Sequence, residues 1–136
     1  MKKENQEILK FNYENNLRED DFYISNSNAH VYNLLNKWPK WEKNFINISG
    51  DKFSGKTHLV NIFLKKFKAI KLNSNTINNN DLKKIKIYEN IILEDLDNTV
   101  DEKLLYSLLN IIDLDNKYII VTSVEPIVNI KFSLID

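Results

Sequence analysis

The stretch Gly50-Asp51-Lys52-Phe53-Ser54-Gly55-Lys56-Thr57 constrains this chain more than any other. It spells G-x-x-x-x-G-K-T, the pattern of a loop whose backbone N–H groups converge on one anion. Gly50 and Gly55 are the only glycines in 136 residues, so a chain that turns elsewhere with Asn, Asp and Ser keeps glycine for this loop. Glycine belongs where a Cβ would block curvature or close approach. A helix that begins at the loop adds its N-terminal partial positive charge. In that setting Lys56 supplies an ammonium for the β- and γ-phosphates of a nucleotide, and the Thr57 hydroxyl a ligand for Mg²⁺. The phosphate-contact candidates are Gly50, Asp51, Lys52, Phe53, Ser54, Gly55, Lys56 and Thr57. His58 borders them and also reads as a helix-surface or packing residue.

Such a loop requires a strand before it and a helix after it. Phe45-Ile46-Asn47-Ile48-Ser49 reads as a short strand running into Gly50. After Thr57, the residues Leu59, Ile62, Phe63 and Phe67 share one helical face. Upstream, Val31, Leu34, Leu35 and Trp38 fall at i, i+3, i+4 and i+7. That predicts a helix from Ala29, behind the capping residues Ser25, Asn26, Ser27 and Asn28, that ends at Pro39. Trp38 and Trp41 are read as packing residues. Residues 69–72 predict the next strand, 73–80 a loop and 81–85 a short helix.

The run Asn90-Ile91-Ile92-Leu93-Glu94-Asp95-Leu96-Asp97 is apolar until it ends in adjacent carboxylates. A buried parallel strand has this pattern when it delivers acids to its C-terminal edge, where ligands bind in open α/β sheets. Beside a Mg-nucleotide, one acid holds the metal through its water shell and the other polarises the attacking water. The alternative is a strand followed by an acidic turn. Residues 101–112 form an apolar helix with Asp101 and Glu102 in its first turn. Tyr118-Ile119-Ile120-Val121-Thr122-Ser123 is a further buried strand. Its two terminal hydroxyls either sense a γ-phosphate or cap the strand end. Glu125-Pro126 breaks the pattern, and residues 127–136 hold no further complete element. The alternation of strands and helices predicts an α/β fold, a parallel sheet covered by helices on both faces.

Composition narrows the partners. Lys+Arg and Asp+Glu balance at 19 each, so no global field favours direct DNA binding or an anionic membrane. The absence of cysteine excludes disulfides and thiolate metal sites. Without an apolar leader or a membrane-length run, a cytoplasmic location is expected. Residues 1–21 form a polar arm ahead of a nucleotide-binding domain at 22–136. Within the arm, Gln6-Glu7-Ile8-Leu9-Lys10-Phe11 spells Q-x-x-L-x-F, whose glutamine amide and two apolar anchors, Gln6, Leu9 and Phe11, suit a pocket on a partner.

GDKFSGKTHL, IILEDLD and YIIVTS, in that order and spacing, resemble the Walker A, Walker B and sensor 1 motifs of AAA+ ATPases of the bacterial replication-initiator (DnaA) family. DFYISNSNAHVYNLLNKWPKW resembles the segment which that family places before its first strand, where the adenine is gripped. The Q-x-x-L-x-F arm, "SNA" and "WPKW" are similar to the regulatory-inactivator (Hda) subgroup. Loaded on the sliding clamp, that subgroup promotes hydrolysis of ATP bound to the initiator DnaA. The resemblance implies a P-loop NTPase (AAA+) three-layer αβα sandwich without a helical lid, with ADP or ATP and Mg²⁺ as cofactors. It places Lys56 on phosphates, Thr57 and Glu94 on the metal, and Asp95 at the water-polarising position. Thr122 or Ser123 would be sensor 1, and residues from Phe22 to Asn28 would line the adenine pocket. The partners it implies are the sliding clamp, through Gln6, Leu9 and Phe11, and the initiator DnaA; a homo-oligomer stays open. An initiator or helicase-loader ATPase and a degenerate interaction module are the alternatives.

The sequence departs from the family at four places. Phe53 stands where these loops usually carry glycine, and Glu94 is one methylene longer than the usual aspartate. The region before Glu94 is short, which favours a regulator over an initiator. The chain also stops where the family continues toward an arginine finger and lid, and Arg18 is its only arginine. An arginine finger is worth about 10³ to 10⁵ in rate, so a truncated module that holds nucleotide with negligible hydrolysis of its own is expected.

Overall fold

β-Branched and apolar runs too short for helices set the strands, and the amphipathic stretches between them set the helices. The computed structural model describes residues 26–51 and 55–132, with the backbone alone for 26–29. In chain order the elements are α1 (Asn26–Asn36), β1 (Phe45–Ser49), α2 (Lys56–Lys66), β2 (Ile70–Asn73), α3 (Asn79–Lys84), β3 (Asn90–Glu94), α4 (Glu102–Leu114) and β4 (Tyr118–Ser123). Single 3₁₀ turns follow α3 at Ile85–Ile87 and β4 at Ile127–Asn129. Several boundaries shift by one to three residues from the periodicity reading: α1 ends at Asn36 rather than Pro39, β2 is displaced by one residue and α4 runs on to Leu114. α1 starts at Asn26 rather than Ala29. α3 starts two residues before Asp81, because Asn78 caps it: the Asn78 side chain accepts from the amides of Asn80 and Asp81, while the Asp81 carboxylate accepts from the Asn78 amide. α4 ends where Asn116 turns left-handed at φ 54 and the Lys117 amide reaches back to the Ile112 carbonyl at 2.9 Å.

The four strands are parallel in the order β1-β4-β3-β2. The chain therefore crosses the whole sheet from β1 to β2, then steps back through β3 and inserts β4 beside β1. Right-handed crossovers made in opposite directions put their helices on opposite faces. Two separate cores record this. Ile46, Ile48, Ile92 and Ile120 pack with Val31 and Leu35 of α1 and Leu59, Val60 and Phe63 of α2. Phe45, Ile91, Leu93, Ile119 and Val121 pack on the other face with Ile85 and with Leu105, Leu108 and Ile112 of α4. Each strand thus alternates between the two cores, as a two-sided buried sheet demands. Trp38 and Trp41 pack as expected: both edge onto Tyr118, while Trp38 also meets Phe67 and Trp41 meets Phe63. Among the described residues no helix is long and apolar enough to cross a membrane.

One polar residue inside the sheet ties its end together. Asn47 is fully buried in β1; its amide nitrogen donates to the Val121 carbonyl and the Ser123 hydroxyl, both at 3.0 Å. Its Oδ1 accepts from the Ile127 amide at 3.1 Å, which pins the chain leaving β4 back onto β1. Asn47→Leu keeps the volume but leaves the Ile127 amide unpaired. It is expected to cost about 1–3 kcal/mol in a urea titration and to speed proteolysis around residues 124–131.

Candidate functional site

The parallel strands all end on one edge, and the reversal of strand order between β1 and β4 opens a crevice there. α2 begins beside it. Its N-cap is Gly55 at φ 96, a left-handed value that a residue with a Cβ adopts only at a cost, and the Gly55 carbonyl accepts the first helical bond from Leu59 at 3.0 Å. That turn brings Lys56 and Thr57 to the strand edge at the positive end of the helix. Lys56 is buried, and its ammonium donates to the carbonyls of Gly50 and Asp51, the latter at 2.8 Å. Burial pushes the Lys56 pKa down, while the charges of Asp95, Asp51 and Glu94 pull it back up.

Gly55, Lys56 and Thr57 form one wall of a cleft of about 980 Å³, at the upper end of the range of roughly 300–1,000 Å³ that small-molecule sites occupy. The same cleft is also lined by Asn75, by Asp95, Leu96, Asp97 and Asn98, and by residues 124, 125 and 129–131.

Asp95 follows β3 and sits left-handed at φ 61. Its backbone amide donates to the Thr122 hydroxyl at 3.0 Å, its carbonyl accepts from the Ser74 hydroxyl at 2.7 Å, and its Oδ2 accepts from the Asn73 side-chain Nδ2 at 3.1 Å. Glu94, still in the strand, lies 3.6 Å from the Lys71 ammonium and is not among the residues lining the cleft. Thr122 and Ser123 are both buried. The Thr122 hydroxyl receives the Asp95 amide, and the Ser123 hydroxyl donates to the Glu125 carbonyl at 2.6 Å. Neither is among the described residues that line the cleft. Asp51 and His58 are exposed and also off the cleft wall. Gly50 closes the end of β1, its amide shared between the carbonyls of Ser123 and Val124. Lys52, Phe53, Ser54, Phe22, Gln6, Leu9 and Phe11, and the side chain of Asn28, lie outside the described residues.

Several residues at this edge carried no motif in the sequence. The asparagine-rich segment after β2 read as a plain loop, yet Asn73 and Ser74 hold Asp95, and Asn75 lines the cleft. Thr99 ties the facing loop to it, with its hydroxyl 3.1 Å from Asn75 Oδ1 and 2.5 Å from Asp97 Oδ1. That hydroxyl, with the Thr99 amide at 2.9 Å, holds the Asp97 carboxyl below the usual aspartate range. The depressed value contributes stability at pH above the ordinary aspartate pKa, lost as pH falls through the folded one. Thr99→Val removes the hydroxyl bond, so the Asp97 pKa is expected to rise toward its ordinary value in a carboxyl ¹³C NMR titration. An unchanged midpoint would contradict the assigned cause.

Among the described residues no group of three or more His, Cys, Asp or Glu could hold a metal by itself. Mg²⁺ does not ask for one: it keeps most of its water and takes one or two carboxylates together with substrate phosphates. The Thr57 hydroxyl and the Asp95 carboxylate, which line the same cleft, fit that requirement. No protein-family model, no curated protein and no solved structure matches this chain.

Proposed function

We propose that this chain binds a nucleoside di- or triphosphate, ADP or ATP, with Mg²⁺ in the cleft at the strand edge. The observation that carries the proposal is the placement of Lys56 and Thr57 on the first turn of the helix that follows β1, with Asp95 lining the same cleft. An anion there meets the positive helix end, an ammonium and a hydroxyl. Mg²⁺ bound with the nucleotide would neutralise phosphate charge, and Thr57 and a carboxylate would orient its water shell. The P-loop NTPase assignment rests on the three motifs quoted above and on their order along the chain.

The biological reading is a regulator of chromosomal replication initiation that docks on the sliding clamp through Gln6, Leu9 and Phe11 and promotes inactivation of the initiator, working in the cytoplasm. Its support is the resemblance of the arm and of residues 21–41 to the regulatory-inactivator subgroup. Arg18 is the only arginine in residues 1–136, so these residues supply no second guanidinium to speed phosphoryl transfer, and by themselves they act as a holder of nucleotide.

Titration with fluorescent ADP and ATP tests the nucleotide claim, with saturable binding expected; a linear, non-saturating signal would defeat it. Capture by immobilised sliding clamp tests the partner claim. Gln6→Ala combined with Phe11→Ala is expected to lower recovery, and equal recovery would remove the clamp from the account.

A further inference from the structure

Glu94 and Asp95 are adjacent in sequence, but the sheet sends them to different surroundings. Along β3, Ile91 and Leu93 enter the core under α4, and Ile92 enters the core under α1 and α2. Alternation puts Glu94 on the Ile92 side. Lys71 of β2 is in register with Ile92 and therefore on that side too, and its ammonium lies 3.6 Å from Glu94 Oε1. The Glu94 side chain is 14 % exposed and is not among the described residues that line the cleft, and its charge supports Lys56 less than those of Asp95 and Asp51 do.

Asp95 leaves the strand instead. Its left-handed backbone is held by the Thr122 hydroxyl from β4 and the Ser74 hydroxyl beside β2, and Asn73 takes one carboxylate oxygen. A short polar side chain tolerates this conformation better than a longer one, so the turn itself favours Asp over Glu at the position. The residue lines the cleft together with Lys56 and Thr57, and it is foremost among the carboxylates that support the Lys56 charge. A group that binds the water shell of Mg²⁺ must face the same wet cleft as the hydroxyl and the phosphates. A carboxylate already fixed by its neighbours loses little freedom in doing so.

Building on the nucleotide-binding reading, we propose that Asp95, not Glu94, is the carboxylate that holds the hydrated Mg²⁺ of the bound nucleotide, and that Glu94 is the sheet-edge ion-pair partner of Lys71. This reverses for Glu94 the role that the family resemblance implies. It also leaves the cleft with one acid on the metal rather than two acids sharing metal and water.

The test measures fluorescent ADP affinity with Mg²⁺ and with EDTA for the wild-type chain, Asp95→Asn and Glu94→Gln. Wild type is expected to lose about tenfold in affinity when Mg²⁺ is removed, the scale of a water-mediated ligand shell. Glu94→Gln keeps that factor, whereas Asp95→Asn binds equally with and without the metal. Asparagine accepts a left-handed backbone, so the second variant is expected to fold. If it does not, Ser74→Ala removes the hydrogen bond to the Asp95 backbone carbonyl, which loosens the turn that presents the carboxylate without removing its charge, and should shrink the metal factor. Mn²⁺ binding in the presence of ADP, followed by electron paramagnetic resonance, gives a readout independent of nucleotide fluorescence and should weaken only in the Asp95 or Ser74 variant. Loss of the metal factor in Glu94→Gln, or a wild type that binds ADP indifferently to Mg²⁺, would overturn the assignment. No saturable ADP binding by wild type under any condition would bring down the nucleotide reading itself, and this inference with it.

Discussion

Lys56→Ala is expected to weaken ADP and ATP binding by roughly 10- to 100-fold, the equivalent of one or two charge-assisted hydrogen bonds to phosphate. The expectation rests on position as much as on charge. The Lys56 side chain is buried at the strand edge, where water screens it poorly, and it starts the helix whose N-terminal dipole adds to its field. Burial also holds its pKa below that of an ordinary lysine. Phosphate affinity of the wild type should therefore fall on the alkaline side at a lower pH than a free lysine would give. A bound polyphosphate pulls the ammonium back toward its charged form, so affinity falls as pH rises from the Lys56 pKa of the free protein toward the higher one of the complex. Calorimetric titration across pH reads both effects. Affinity unchanged in Lys56→Ala would mean that any nucleotide binds elsewhere than the cleft. Leu108→Ala, which opens a cavity under α4 on the far face of the sheet without touching the cleft wall, should spare affinity and lose stability, which separates the two causes.

Phe63→Ala is expected to remove about 3–5 kcal/mol of stability, against a total of about 5–15 kcal/mol for a domain of ordinary size. Phe63 is 1 % exposed on the inner face of α2, with its ring 4.9 Å from that of Phe67 and 5.9 Å from that of Trp41. Leu59 and Val60 of the same helix are as fully buried, so α2 is held to the sheet by this row of side chains. Truncating the largest of them leaves a cavity that the rigid aromatic neighbours cannot close. A urea midpoint shift should report the loss, and Phe63→Leu should recover most of it. Because α2 carries Lys56 at its first turn, the alanine variant should also bind nucleotide less tightly while still folded. A cost below about 1 kcal/mol would show that the helix is not anchored this way.

Strands and helices were legible because their burial is periodic. Both the apolar run ending at Glu94 and the i, i+3, i+4 stripe of α1 report which faces are dry, and the sheet they build is the parallel one that the alternation predicts. The ends of α3 were less legible, because a capping asparagine inside an asparagine-rich run carries no periodic signal. At the cleft, Lys56, Thr57 and Asp95 could be read from motif and spacing alone. Ser74, Asn73 and Asn47 could not. Each acts through one to three hydrogen bonds to backbone or side-chain atoms from 21 to 80 residues away along the chain, and only the sheet order brings those partners together. The roles of Thr122 and Ser123 stayed open for the same reason. A hydroxyl at a strand end looks alike in sequence whether it faces the cleft or clamps the neighbouring strand, and here each is committed to the backbone of an adjacent loop. The separation of Glu94 from Asp95 likewise depends on a left-handed backbone at one residue, which no composition or period encodes.

The most direct measurement is an amide-resolved NMR titration of the full chain with Mg·ADP. Saturable shifts are expected at Gly55, Lys56, Thr57 and Asp95, with the α4 face around Leu108 silent. Shifts that fail to saturate, or that cluster away from the strand edge, would contradict the assignment of this cleft as a nucleotide site.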